Sequence, residues 1–217
     1  MIITGKEFND THEGDSFYKV IDDEDPFHEG LNIDEDEEIS FSLREDILSD
    51  IYAGCMYICK VFIPNDALVN EDGYDLSTNK LIFRTMTQVS KSEVWNDYTE
   101  DNIIFRCNYY DEFELLMYLP ERLRTPYVFR SIAHNQSGRI QYFPDDMMTE
   151  EIYLAAISHN YEIYLSVPKE MRMKEFREKA ALVCGNIIKF MKDDELTYDI
   201  CFNAVSKDDY MDSWDQV

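Results

Sequence analysis

Apolar positions change their rhythm about halfway along the chain. Through the first hundred residues they gather in short β-branched and aromatic runs, "SFYKVI", "EISFS", "CMYICKVFI" and "KLIFRTMTQV", which predict strands. The segment "CMYICKVFIP" is apolar at both parities, so it is expected to be a central strand covered on both faces and ended by Pro64. Between the second and third runs, "SLREDILSDIYAG" predicts a helix. Ser42 and Glu45 have capping-box spacing, Ile47, Leu48, Ile51 and Tyr52 share a face, and Gly54 is a stop.

From about residue 101 the period becomes helical, and Pro120, Pro144 and Pro168 recur every 24 residues. Lys192 is the next position in step. Val128, Ile152, Phe176 and Ile200 form one column, and Ile132, Ala156, Ala180 and Ala204 a second one four residues later, on the same helix face. The later columns Ile140, Tyr164, Ile188 and Phe143, Val167, Met191 predict a second, shorter helix in each unit. Thr125, Thr149 and Thr197 precede the longer helices as N-caps, with Met173 breaking the series. Ile104, Leu116 and Leu119 suggest an earlier, worn unit, and "SKDDYMDSWDQV" a solvated end. A recurring period of this length with apolar columns indicates stacked hairpins, each covering what its neighbour leaves open. The expected fold class is therefore α+β: a strand-rich domain over residues 1–100, then an α-solenoid-like stack of helical hairpins over 101–217 with repeats starting near 120, 144, 168 and 192.

Composition supports a folded chain and narrows its partners. Of 217 residues 45% are apolar, including 13 Phe and 15 Tyr, which supplies a core despite a formal charge of −25. Such a charge disfavours nucleic acid and anionic membranes and attracts basic partners. It is concentrated in residues 1–50, where 17 Asp and Glu stand against Lys6, Lys19 and Arg44. No apolar stretch is long enough to predict a membrane span, and the first residues lack a signal-peptide core. Cys55, Cys59, Cys107, Cys184 and Cys201, odd in number and set among apolar neighbours, read as reduced thiols of a cytoplasmic, non-secreted protein.

Two stretches carry resemblances. "LTYDICFNAVSKD" and "MTEEIYLAAISHNYEIYLSVP" resemble a short helical repeat of unknown function found in giant-virus and some bacterial proteins: a threonine, an acidic pair, Ile-Cys, Ala-Val and a later Val-Pro turn. That likeness covers residues 120–208 and implies fold without mechanism. "DSFYKVIDDEDPFHEGLNID" and "CMYICKVFIPNDALV" resemble the N-terminal domain that precedes repeats in many Mimivirus-like proteins, although "EEISFSLRED" stands where those carry a glycine-rich segment. Together they imply a viral protein acting in the host cytoplasm or a virus factory.

Catalytic signatures are sparse. Seven glycines include no phosphate-loop, dinucleotide or nucleophile-elbow pattern. Cys55 and Cys59 lie too far apart on a strand to share a metal, His134 and His159 read as surface residues at helix ends, and "DDEDPFHEG" lacks the order of an EF-hand, so neither metal nor cofactor is expected. "HEG" followed by "ISFS" and "CMYICKVFI" also resembles the core of ADP-ribosyltransferase domains, which implies an alternative NAD site at His28 and Ser42 with Glu93 as the sole late carboxylate. A further alternative is an acidic mimic of nucleic acid. The principal expectation is a non-enzymatic protein-binding module. Its contact residues would be Arg124, Arg130, Asn135, Glu150, Glu151, Asn160, Lys174 and Arg177 between the columns, with Asp22, Asp23, Asp25, Glu35, Asp36, Glu37 and Glu38 for a basic partner.

Overall fold

The computed structural model describes residues 1–34, 39–72 and 75–211. The chain is α+β and divides into two compact units: Met1–Tyr98 with Tyr118–Pro120, and Thr99–Met117 with Glu121–Val217.

In the first unit, β1 (Ile2–Thr4), β2 (Phe17–Ile21), β3 (Gly30–Ile33), β4 (Ile39–Leu43), β5 (Tyr57–Phe62), β6 (Leu68–Asp72), β7 (Asp75–Thr78) and β8 (Lys80–Gln88) form an antiparallel sheet in the order β1-β6-β7-β4-β2-β5-β8-β3. Only Asn79 separates β7 from β8, yet β4, β2 and β5 lie between them in the sheet. A flat sheet would hold those two strands roughly 19 Å apart, at about 4.8 Å per strand. The sheet therefore curls until the β7–β8 segment closes it, and the inward side chains fill the enclosure. Phe17, Ile21, Ile39, Phe41, Cys59, Val61, Leu81 and Phe83 make this core. Helix α1 (Gly5–Thr11) plugs it with Phe8, which is fully buried against Phe17 and edge-on to Phe41. A Thr4–Glu7 capping box starts that helix.

β5 is central, as its apolar pattern predicts, with Ile58 buried on one face and Cys59 and Val61 on the other. The helix predicted from Ser42 does not form. Ser42 belongs to β4, opposite Tyr18, its hydroxyl donates to Asp50, and only a 3-10 turn at Ile47–Asp50 follows. Burial explains the difference: that single turn already puts Ile47 and Leu48 out of water, with Ile51 just beyond it, so a longer helix gains nothing.

The second unit holds α2 (Glu100–Tyr110), α3 (Pro126–Asn135), α4 (Glu150–His159), α5 (Lys174–Val183) and α6 (Tyr198–Met211), each packed on the next. The last four helices begin 24 residues apart, as do the 3-10 segments Ser137–Tyr142, Tyr161–Ser166 and Gly185–Phe190. These tighter turns occupy the place of the predicted shorter helices. Both helical columns are buried throughout, at 2% exposure or less. Upstream, Ile103 and Cys107 replace the expected Ile104, one residue out of step, and in the third unit Ile187 takes the buried place expected of Ile188. Thr125 and Thr197 accept from the backbone N–H groups of Val128 and Ile200. Thr149 makes no such bond, so the third predicted cap is absent. The segment predicted as a solvated end continues α6 as far as Met211, and α6 presents Tyr198, Phe202 and Val205 outward.

Candidate functional site

The side chains expected as contact residues on the helical unit are largely engaged in ion pairs. Arg124 pairs with Asp146, Arg130 with Glu151 (2.6 Å), Lys179 with Glu150 (2.6 Å) and Arg177 with Glu195 (2.8 Å), while Lys174 pairs within its own helix with Glu178. Asn160 caps the Tyr161–Ser166 segment by accepting from the Glu162 N–H (3.0 Å). Of the predicted contact residues on this unit, Asn135 alone among the described residues stands exposed without such a role. The physical reason is packing: α3, α4, α5 and α6 each lie against the next, so positions between the apolar columns of one element come beside those of its neighbour, and opposite charges there pair. Outward-facing chemistry is instead aromatic. On α2, Phe105 and Tyr109 stack at 4.5 Å and Tyr110 meets Phe105 edge-on. The three are 48%, 74% and 62% exposed.

In the first unit the acidic segment is partly structural. Asp22 accepts the Tyr52 hydroxyl (2.6 Å) and the backbone N–H groups of Glu24 and Asp25, and the Asp25 carboxylate accepts from the Asp22 N–H. Asp23 is exposed, and Glu35, Asp36, Glu37 and Glu38 lie outside the described residues. Beyond this turn the pairing of β2 with β4 stops after Tyr18 and Ser42, and a cleft of 670 Å³ opens where the ladder parts. Asp25, Asp46, Asp50 and Asp75 line it, with Ser40, Ser42, Ser49 and Ser77 between them.

One cation faces these four carboxylates. Lys19 shares the inward parity of Phe17 and Ile21, and its ammonium emerges to donate to Ser40 Oγ (3.1 Å) with the Phe27 ring 5.2 Å away. Burial lowers its pKa, while Asp25, Asp50 and Asp22 pull it back up. Asp50 is open to water along one side, yet the protein around its carboxyl displaces enough solvent to raise the pKa, and Asp46 and Asp75 raise it further against the opposing Ser42 and Lys19. Three carboxylates remain uncompensated, and a further cation would relieve them. Comparison of the chain with protein-family models, with curated proteins and with solved structures found no match.

The NAD-type pairing of His28 and Ser42 is not assembled. His28 precedes β3 at one edge of the sheet, exposed and bonded to its neighbour's carbonyl, whereas Ser42 lies in β4 with β8, β5 and β2 intervening. Glu93 accepts the Tyr18 hydroxyl at 2.6 Å. His134 and His159 meet edge-on at 6.2 Å at the ends of α3 and α4, and His134 is bonded to Ser158. No helix among the described residues is long and apolar enough to cross a membrane. Lys19, Asp46, Asp50 and Asp75 were not singled out by sequence reasoning. The available signal was Lys19 itself, a lone charge on the apolar parity of "SFYKVI".

Proposed function

We propose that the protein is a non-enzymatic binding module that receives a basic segment of a protein partner in the Asp25/Asp46/Asp50/Asp75 cleft. The observation that carries this reading is the gap in the β2–β4 ladder, which holds four carboxylates against the single ammonium of Lys19. An arginine or lysine side chain entering it would meet the Asp50 carboxylate, already partly stripped of water, where pairing is worth more than on an open surface, with Asp25, Asp46 and Asp75 around it. The helical unit, understood as a solenoid-like stack, supplies a second contact through Phe105, Tyr109 and Tyr110, since exposed aromatic groups of this kind anchor interfaces. Kinship with the giant-virus repeat proteins, and a place in the cytoplasm of an infected cell, belong to the same proposal.

Titration of the full chain with a fluorescent arginine-rich peptide tests the cleft. Binding that weakens with salt and is lost in the Asp46→Asn/Asp50→Asn/Asp75→Asn variant supports it. A control variant neutralised at Glu170, Asp193 and Asp194 carries the same change in net charge and should bind as the wild type does. Equal loss in both variants would assign the attraction to bulk charge and remove the site.

A further inference from the structure

Three cations stand apart in this acidic chain. Of the seven Lys and Arg in residues 1–98, Lys6, Arg44 and Lys80 hold Asp10, Asp97 and Asp66, and Lys19 faces the carboxylates of the cleft. Lys60, Arg84 and Lys91 make no ion pair among the described residues, although the chain contains 45 Asp and Glu; Lys60 lies over the Tyr18 ring at 5.9 Å and the Arg84 guanidinium over Phe62 at 4.8 Å. All three line a single groove of 290 Å³ on the outer face of β5 and β8.

A fault in the β5–β8 ladder brings them together. Cys59 lies opposite Met86 and Val61 opposite Phe83, so Lys60 alone faces both Arg84 and Thr85. Strict alternation from the inward Phe83 would send Thr85 into the core and Met86 out. The extra residue resets the count: Met86 packs against the core, and Thr87 pairs with Ile58 on the outer face. Arg84, Thr85 and Thr87 consequently share one surface with Lys60. Lys91 and Ser92 arrive from the 3-10 turn Val89–Lys91, which Trp95 fixes to the sheet by donating its indole N–H to the Val89 carbonyl (2.7 Å) from a buried position. Tyr18 and Ile58 form the floor. Glu93 also lines the groove, with its carboxylate engaged by the Tyr18 hydroxyl.

Three cations against the single carboxylate of Glu93 leave this recess positive in a strongly acidic chain, and the bulge brings Arg84 and the Thr85 hydroxyl onto the same face, a set of donors suited to an anion. We propose that the groove binds a phosphate monoester. A dianion with three acceptor oxygens matches three cationic donors and the Thr85 and Thr87 hydroxyls. A long polyanion fits poorly, because the remainder of the chain repels it. The phosphate is carried either by a phosphorylated side chain of a peptide or by a small phosphorylated metabolite.

The test uses the full chain, followed by amide NMR and calorimetry, with inorganic phosphate, O-phosphoserine, a phosphoserine peptide and its unphosphorylated twin as probes. The phosphorylated probes should move the amides of Thr85, Thr87 and Ser92. Lys60→Gln, Arg84→Gln and Lys91→Gln should each weaken binding about tenfold, the scale of one charge-assisted contact. Lys6→Gln is the control for net charge, and circular dichroism verifies that every variant is folded. Both sources satisfy the proposal: a peptide binding well above O-phosphoserine identifies the phosphorylated chain, and equal binding identifies the small molecule. Absence of shifts at about 10 mM phosphate, a concentration that reveals even millimolar affinity, overturns it. So does an effect of Lys6→Gln equal to that of Arg84→Gln.

Discussion

The Cβ atom that Gly185 lacks would stand 2.3 Å from the carbonyl oxygen of Ala204. That oxygen belongs to the backbone of α6 and cannot step aside, so Gly185 and the small residue at 204 together set how closely the Gly185–Phe190 turn approaches the last helix. Gly185→Ala should destabilise the protein by roughly 1–3 kcal/mol, the usual cost of overpacking. Gly138 opens the equivalent turn of an earlier unit one residue further on and has nothing within 4 Å of its missing Cβ. Gly138→Ala should therefore leave the urea midpoint within experimental scatter, and a matched loss in the two variants would refute the contact.

Asp50 offers a test by pH. Its folded-state pKa is raised, chiefly because surrounding protein displaces water. A carboxyl of this kind binds its proton more tightly in the folded state, so its charged form opposes folding above that pKa. Asp50→Asn should consequently raise stability at neutral pH, and the gain should shrink as pH falls through the raised pKa and the native carboxyl takes up its proton. Thermal melts across the acid range measure this, and a gain that persists unchanged at low pH would exclude the mechanism.

The thiols should separate by kinetics. Burial pushes Cys59 up to about 11 and Cys107 up to about 12, and raises Cys55 as well. Cys201 is exposed on α6 and Cys184 is half-buried. Because the thiolate is the reactive form, a disulfide-forming dye should label Cys201 first and Cys184 next, with the remaining three reacting only on unfolding. Mass spectrometry of the first labelled peptide decides it.

Two ion pairs of the helical unit should differ in worth. Arg106 holds Glu112 through two guanidinium nitrogens, at 2.5 and 3.1 Å, with side chains only 15% and 17% exposed. The Arg130–Glu151 pair is 53% and 56% exposed. Glu112→Gln removes the carboxylate charge facing a guanidinium largely out of water and should cost roughly 2–3 kcal/mol. Glu151→Gln should cost less than about 0.5 kcal/mol. Chemical denaturation of both variants makes the comparison, and equal costs would contradict the burial argument.

The sequence carries the helical unit far more openly than the sheet. Columns such as Ile132, Ala156, Ala180 and Ala204 are local, and a local period survives in one dimension. The curled sheet depends on which strand lies beside which, and nothing in "SFYKVI" or "EISFS" says that their ladder parts after Tyr18 and Ser42. The cleft was hidden for that reason: Asp25, Asp46, Asp50 and Asp75 are scattered over fifty residues and meet only through the topology. Arg130 and Glu151 do stand outward, and what a pattern in one dimension leaves out is that packing sets the two side by side, 2.6 Å apart.

Closure of the sheet through Asn79 bears on the order in which the chain acquires structure. Strands drawn from residue 2 to residue 88 must find their partners before that seam can shut, and every long-range pairing is entered at a loss of loop entropy. In the helical unit each helix needs only a neighbour one period away. Local contacts of that kind form early, so the half of the chain that leaves the ribosome second is the half expected to finish folding first.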